Sequence, residues 1–235
     1  METEDAWRSE PLVVLVSGGM DSLILTAELA ETSPLIVPIY VRSGLFWEDT
    51  EEEHLHRFLR EVDLPNVKRL QILDAPLTGI YGEHWSTLGQ DVPGADTPDE
   101  AVYLPGRNLT LLLQASLWCQ RKDIDVVAMG VLKNNPFPDS TDVFFRTFES
   151  ALAQGLNHRI RVVRPYSHLS KQEVLQRGRF LPLEHTWSCI QPIQQVHCGK
   201  CNKCAERQRA FLELGIPDCT QYVREAHVSG TSQQR

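Results

Sequence analysis

Residues 11–30 read PLVVLVSGGMDSLILTAELA. Leu12 to Val16 is a short continuous apolar run, as in a strand buried on both faces. Asp21 to Ala30 holds good helix formers, with apolar residues spaced along one face. Between them stands Ser17-Gly18-Gly19-Met20-Asp21-Ser22. Two glycines here remove the Cβ atoms that would keep an anion from the backbone. The helix start supplies free N–H groups and the positive end of a dipole. A bare Ser-Gly-Gly can also be a capped turn. The full hexad directly after a buried strand favours a phosphate cradle. Asp21 is misplaced as a direct phosphate ligand and better suited to a role through Mg²⁺ or as a helix cap. Neither GxxxxGK[ST] nor GxGxxG is present.

Working outward, the strand–helix alternation continues. Pro34 to Val41, Val67 to Leu73, Asp125 to Val131 and the short IRVVRP read as strands. Glu48 to Val62, Asn108 to Arg121 and DVFFRTFESALAQG read as helices. Such alternation implies parallel βαβ crossovers and an α/β, doubly wound, mostly parallel sheet. Ligands of these sheets bind beyond the carboxyl ends of the strands, where Ser17 to Ser22 falls. Ala75 to Tyr103 is polar and rich in Gly, Pro and Asp and reads as a long functional loop.

The 235 residues carry a net charge of −8, which argues against a broad nucleic-acid surface. No run approaches the ~20 apolar residues of a membrane helix. METEDAWRSE lacks the basic start and apolar centre of a signal peptide, so a cytoplasmic protein is expected. Six cysteines in that compartment point to metal or redox chemistry. Cys198, Cys201 and Cys204 form CxxCxxC, and Cys189 lies nine positions before it. Four thiolates at this spacing can close around one Zn²⁺, in a knuckle where Lys200 and Lys203 help keep them ionised. An iron–sulfur cluster, which also takes four cysteines, is the rival reading. Cys119 falls on an apolar helix face and reads as core, and Cys219 as a loop cysteine; His197, beside Cys198, is a candidate substitute ligand or a support for the ligands, with a surface position favoured because four cysteines are present.

VSGGMDS resembles the PP-loop of the N-type ATP pyrophosphatases, and three further blocks narrow the resemblance. These are YLPGRNLTLLLQAS, SHLSKQEVLQRG, and the cysteine region with TWSC, HCGKC, CAERQRAF and GIPDCT. Together they resemble the 7-cyano-7-deazaguanine synthase family over Val16 to Thr220. The resemblance implies an adenine nucleotide alpha hydrolase-like domain over 1–180 and a C-terminal four-cysteine zinc-binding segment over 181–222; the end of the chain, closing on SGTSQQR, reads as a disordered tail over 223–235. It implies an ATP-dependent ligase of queuosine biosynthesis, which joins ammonia to 7-carboxy-7-deazaguanine through an acyl adenylate and releases AMP. ATP, Mg²⁺ and Zn²⁺ are the implied cofactors, and a homodimer the implied assembly, without nucleic acid or membrane.

Carried over by motif, the ATP-binding residues are Val16, Ser17, Gly18, Gly19, Met20, Asp21, Ser22, Leu23, Ile24, Leu25, Thr26 and Asn108. Asp21, Arg107 and Lys171 are the implied catalytic residues, and Cys189, Cys198, Cys201 and Cys204 the metal ligands. Two segments depart from the family pattern, IYVRSGLFWED and LKNNPFPDST. The second retains Pro138-Asp139, so Phe137 and Asp139 are candidates for the acceptor pocket. The departures keep open a related PP-loop ligase that turns another carboxylate into an amide. A tRNA-thiolation enzyme and a zinc-stabilised interaction module are the remaining alternatives.

Overall fold

The computed structural model describes residues 6–223; residues 224–235, nearly all of the expected tail, lie outside the described residues. Five parallel strands form one sheet: β1 (Leu12–Leu15), β2 (Ile36–Arg42), β3 (Gln71–Asp74), β4 (Val126–Ala128) and β5 (Arg161–Val163). Their order is β3-β2-β1-β4-β5. The helices are α1 (Met20–Leu29), α2 (Glu48–Val62), α3 (Thr78–Tyr81), α4 (Trp85–Leu88), α5 (Arg107–Lys122), α6 (Asp142–Leu156), α7 (Lys171–Arg177) and α8 (Asn202–Leu214).

Strand β1 explains the layering. Leu12, Val14 and Val16 pack under Leu23 of α1, Phe58 of α2, Val174 of α7 and Phe211 of α8. Val13 and Leu15 face the opposite way, against Leu112 and Ala115 of α5 and Phe145 of α6. Successive side chains of a strand point to opposite faces, so a fully apolar run lets both helical layers bury against it. The chain winds from β1 outward to β3, then returns through α5 to build β4 and β5 on the other flank. The direction reverses between β1 and β4, and a crevice opens there at the strands' carboxyl ends.

Two boundaries differ from the sequence reading. Val67 makes only an isolated bridge to Ile36, and β3 begins at Gln71. Pro38, inside β2, accounts for the arrangement. Lys68 N–H donates to Ile36 O on one side of it, and ladder pairing with β3 resumes at Ile39 opposite Gln71. Proline, which has no N–H, thus faces the break in the ladder. In the expected strand Asp125–Val131, only Val126–Ala128 stays in the sheet; Met129, Gly130 and Val131 turn out to line the crevice. The segment read as a loop over 75–103 carries two single-turn helices, α3 and α4, and a 3-10 turn at Asp99–Val102.

Candidate functional site

The glycine-rich loop leaves β1 at Val16 and enters α1 at Met20. It is tied to itself: Ser17 N–H donates to Ser22 Oγ (3.1 Å), the Ser22 hydroxyl donates to Ser17 O (3.0 Å), and Gly19 N–H donates to Ser17 Oγ (3.2 Å). Gly19 is the N-cap of α1 in extended conformation, with no side-chain cap. Asp21 therefore does not cap the helix. Its Oδ2 accepts from Lys171 Nζ at 2.8 Å, while Oδ1 is buried with no partner. An orphaned carboxylate oxygen costs free energy unless something binds it. Its place beside a phosphate-type loop fits a Mg²⁺ ligand, since hard cations take oxygen ligands.

The ion pair is part of a chain. Lys171, the first residue of α7, also approaches Glu206 of α8 (3.5 Å), which pairs with Lys203. Helix α7 starts sharply there because Ser170 and Glu173 form a capping box. Desolvation raises the Glu206 pKa, yet Lys171 and Lys203 overcome it and hold the group down at about 2. Lys203 thus engages Glu206 at the cleft, a different partner from the thiolates expected of it.

Two hollows meet at this loop. One, about 300 Å³, runs along the carboxyl ends of β1, β2 and β4 past Leu15, Tyr40, Val41, Leu111 and Met129. The other, about 220 Å³, is walled by Trp47, Trp85, Trp187 and Phe137, with Glu51, Arg107, Lys171 and Arg207 among its charged lining. Ser17, Gly19, Asp21 and Arg107 belong to both. Arg107 starts α5 directly after Gly106, whose φ of +76° suits glycine in particular. Its Nε is buried and unpartnered, and the residue lines both hollows.

Asn108 lines the first hollow beside Arg107. Its backbone N–H and side-chain amide both donate to Asp139 (3.2 Å to the carboxylate in each case), so Asp139 anchors the start of α5. The Pro138-Asp139 pair thereby holds Arg107 in place, and Phe137, packed near Tyr103, supplies wall to both hollows. A further correction concerns the end of the expected ATP-binding run. Leu23, Ile24, Leu25 and Thr26 are buried in the core, and the Thr26 hydroxyl donates to Ser22 O. Val16, Ser17, Gly19, Asp21 and Ser22 reach the first hollow, and Met20 the second.

The four cysteines converge. The Sγ atoms of Cys189, Cys198, Cys201 and Cys204 all lie within 4.8 Å of one another, and two pairs are 3.9 Å apart. A tetrahedron of Zn–S bonds of ~2.3 Å sets its sulfurs ~3.8 Å apart. A four-iron cluster, with its own sulfides between the irons, binds its cysteines on separate irons and so holds them farther apart than a single ion does. The spacing fits one tetrahedral ion such as zinc. Backbone N–H groups of Gln191 and Cys198 donate to Cys189 Sγ, and that of Cys201 to Cys198 Sγ, each at 3.3 Å. Such donors orient and stabilise thiolate ligands. Cys119 is buried in the core, where burial pushes its thiol up to about 12; Cys219 is exposed and outside the cluster.

This centre is docked onto the loop. Trp187 N–H donates to Gly18 O at 2.6 Å, and Trp187 Nε1 donates to Cys189 O. A Cβ on Gly18 would lie 2.8 Å from Glu51 Cγ and 2.9 Å from Trp187 Cβ. His197, expected at the surface, is buried against Trp187 with ring centroids 4.0 Å apart, and its Nε2 accepts from Ser188 N–H. Burial first, then Arg207, holds it neutral, with its pKa lowered to about 3. Arg207, 1% exposed, donates to Thr186 and Thr220 hydroxyls and to Leu183 O, each at 2.7 Å. With a longer bond to Ser188 Oγ (3.3 Å), it thus holds the chain on both sides of Trp187. Arg207 and Glu51 escaped the sequence reading. The signal for Glu51 was its register: Trp47, Glu51, Leu55 and Phe58 share the buried face of α2.

A parallel sheet with a glycine-rich loop at its switch point, an arginine between two hollows, and a four-thiol centre on that loop define an enzyme of the PP-loop class. The chain belongs to the family described as queuosine biosynthesis protein QueC, whose model matches residues 11–215. It is 31% identical over 227 residues to the 7-cyano-7-deazaguanine synthase of Chloroherpeton thalassium, covering 92% of this chain and 99% of the relative. It is 30% identical over 223 residues to that of Methanothermobacter thermautotrophicus, covering 89% and 98%. Among solved structures, the U34-tRNA thiolase NcsA from Methanococcus maripaludis is similar with a TM-score of 0.47 and 16% identity, over 88% of this chain and 67% of that one. Among the described residues, no helix is long and apolar enough to cross a membrane.

Proposed function

We propose that this chain converts 7-carboxy-7-deazaguanine and ammonia to 7-cyano-7-deazaguanine, adenylating the carboxylate with ATP. The observation that carries the reading is Arg107, with its unpartnered donor, at the junction of the two hollows. The first hollow offers Val41, Leu111 and Met129 as an apolar face for adenine. The second offers three tryptophans to a planar deazapurine. The N–H groups at the N-terminus of α1, directly after the loop, bind the leaving pyrophosphate, and Lys171 adds positive charge. Asp21 would hold Mg²⁺, which would supply further neutralisation of the phosphates.

A carboxylate oxygen attacks the α-phosphorus, and the bond to pyrophosphate breaks. Arg107 draws the two anions together, which mutual repulsion otherwise opposes. Ammonia then displaces AMP to give the amide. A second adenylation, now of the amide oxygen, and loss of AMP with the nitrogen's two protons give the nitrile. The acceptor is a small molecule in this reading, and neither nucleic acid nor membrane takes part. The cytoplasm, expected from the composition of the sequence, and a homodimeric assembly, implied by the resemblance, belong to the same proposal, as do structural zinc and the zinc-segment boundary near residue 181.

A second reading rests on the divergent wall around Phe137: a PP-loop ligase that stops at the amide of another carboxylate. Thiolation of tRNA has less support, since four of the six cysteines converge on one centre and Cys119 is buried. The test is purified protein with 7-carboxy-7-deazaguanine, ammonium and MgATP, read by mass spectrometry. The expected product is the nitrile, with AMP. AMP formed with some other carboxylate only would move the assignment to the second reading.

A further inference from the structure

Glu51 stands apart from every role described so far. It is 5% exposed, yet it is among the residues that line the aromatic hollow. It lies directly beneath the phosphate loop, where its Cγ would be 2.8 Å from a Cβ on Gly18. Oε2 accepts from Tyr40 OH at 2.8 Å. Its neighbours are the charged Arg107 of α5 and Glu48 of its own helix, with two donors, the Tyr40 hydroxyl of β2 and the Gly18 N–H of the loop. Burial raises its pKa; Arg107, the Tyr40 hydroxyl and the Gly18 N–H lower it, Glu48 raises it, and the net direction is up. A carboxylate of this kind is a better proton acceptor than one in water.

Building on the reading just given, we propose that Glu51 is the catalytic base of the amination step, taking a proton from ammonium beside the acyl adenylate. At neutral pH the nitrogen arrives chiefly as ammonium, which has no lone pair. Transfer of one proton to the Glu51 carboxylate gives ammonia. The lone pair attacks the acyl carbon, the C–N bond forms, and the C–O bond to AMP breaks with its electrons leaving on the phosphate. The added nitrogen sheds a second proton to the departing AMP, leaving the neutral amide. Binding of the substrate carboxylate at Arg107 strengthens the base, because it cancels the positive charge that holds Glu51 ionised. Reading of the guanine edge, the other task open to a carboxylate here, is disfavoured by place. Glu51 lies against Gly18, at the reacting end, whereas that edge lies across the ring system from the carboxylate.

The test compares wild type and Glu51→Gln, which keeps the size and the Tyr40 acceptor. Two activities are followed with 7-carboxy-7-deazaguanine: ATP–pyrophosphate exchange without ammonia, and nitrile formation from pH 7 to 10. The variant is expected to fall about 100-fold or more in nitrile formation at pH 7.5, in the range of general-base effects. Its exchange falls only a few-fold, and the amination deficit shrinks toward pH 10 as free ammonia becomes abundant. Equal losses in both activities, or a rise in KM for the deazapurine without pH relief, would overturn the assignment in favour of a packing or base-reading role. Glu51→Asp, one methylene shorter, is expected to retain partial amination, and a variant no better than Gln contradicts a proton-transfer role. Wild-type protein silent in both assays would defeat the parent reading and this assignment with it; exchange by wild type but not by the variant defeats this assignment alone.

Discussion

Stripping the metal from the four-cysteine centre is expected to disable the phosphate loop, although the thiols themselves do not touch it. Cys189 O accepts from the Trp187 indole, and Trp187 N–H donates to Gly18 O. The same centre holds the start of α8, from which Asn202 binds Thr97 O (2.8 Å) and Pro93 O (2.9 Å). Four buried thiols without an ion lose the bonds that order these segments, and metal-binding free energy is folding free energy in such sites. With ~4 kcal/mol lost, a chain of this size drops in Tm on the order of 10 °C. Calorimetry and nucleotide titration after chelation, with metal analysis in parallel, are expected to give one zinc per chain before treatment. Afterwards, ATP binding falls at least tenfold. Metal-free protein with an unchanged Tm and unchanged ATP binding would refute the coupling.

Gly18→Ala is expected to abolish turnover while leaving the zinc in place. The added Cβ would sit 2.8 Å from Glu51 Cγ, 2.9 Å from Trp187 Cβ and 3.0 Å from Glu51 O. One of these three neighbours is backbone, and the others belong to buried side chains held by Tyr40 and the cysteine segment. Overpacking of this kind costs ~1–3 kcal/mol, and the strain falls on the loop that positions the phosphates. Loss of two orders of magnitude or more in AMP release, with metal content intact, is the expected outcome. Gly79, whose Cβ would meet nothing within 4 Å, is the control position. A Gly18→Ala protein as active as Gly79→Ala would show the loop to be looser than the packing implies.

Both effects also mark where the sequence was legible. The apolar run of β1 announced burial on both faces, and the structure places a helical layer on each. The spacing of four cysteines announced a metal centre. What sequence could not display was contact between distant residues. Trp187 and Gly18 are 169 positions apart, and nothing local to either signals the bond between them. Lys171 was picked out as a cation, but its partner Asp21 and the continuation through Glu206 to Lys203 depend on α1, α7 and α8 meeting. His197 was misplaced because polarity and a neighbouring ligand suggested exposure, whereas Trp187, His54 and Tyr222 surround it. Asn108 lines the first hollow, but no local pattern signals that its amide donates to Asp139, 31 positions away.

The central claim is that this cleft transfers the oxygens of a carboxylate to AMP and leaves a nitrile. Substrate 7-carboxy-7-deazaguanine labelled with ¹⁸O at both carboxylate oxygens tests it most directly, with AMP and product weighed by mass spectrometry. The account predicts two AMP per nitrile, each carrying one ¹⁸O. Unlabelled AMP, or ADP and phosphate in its place, would contradict it.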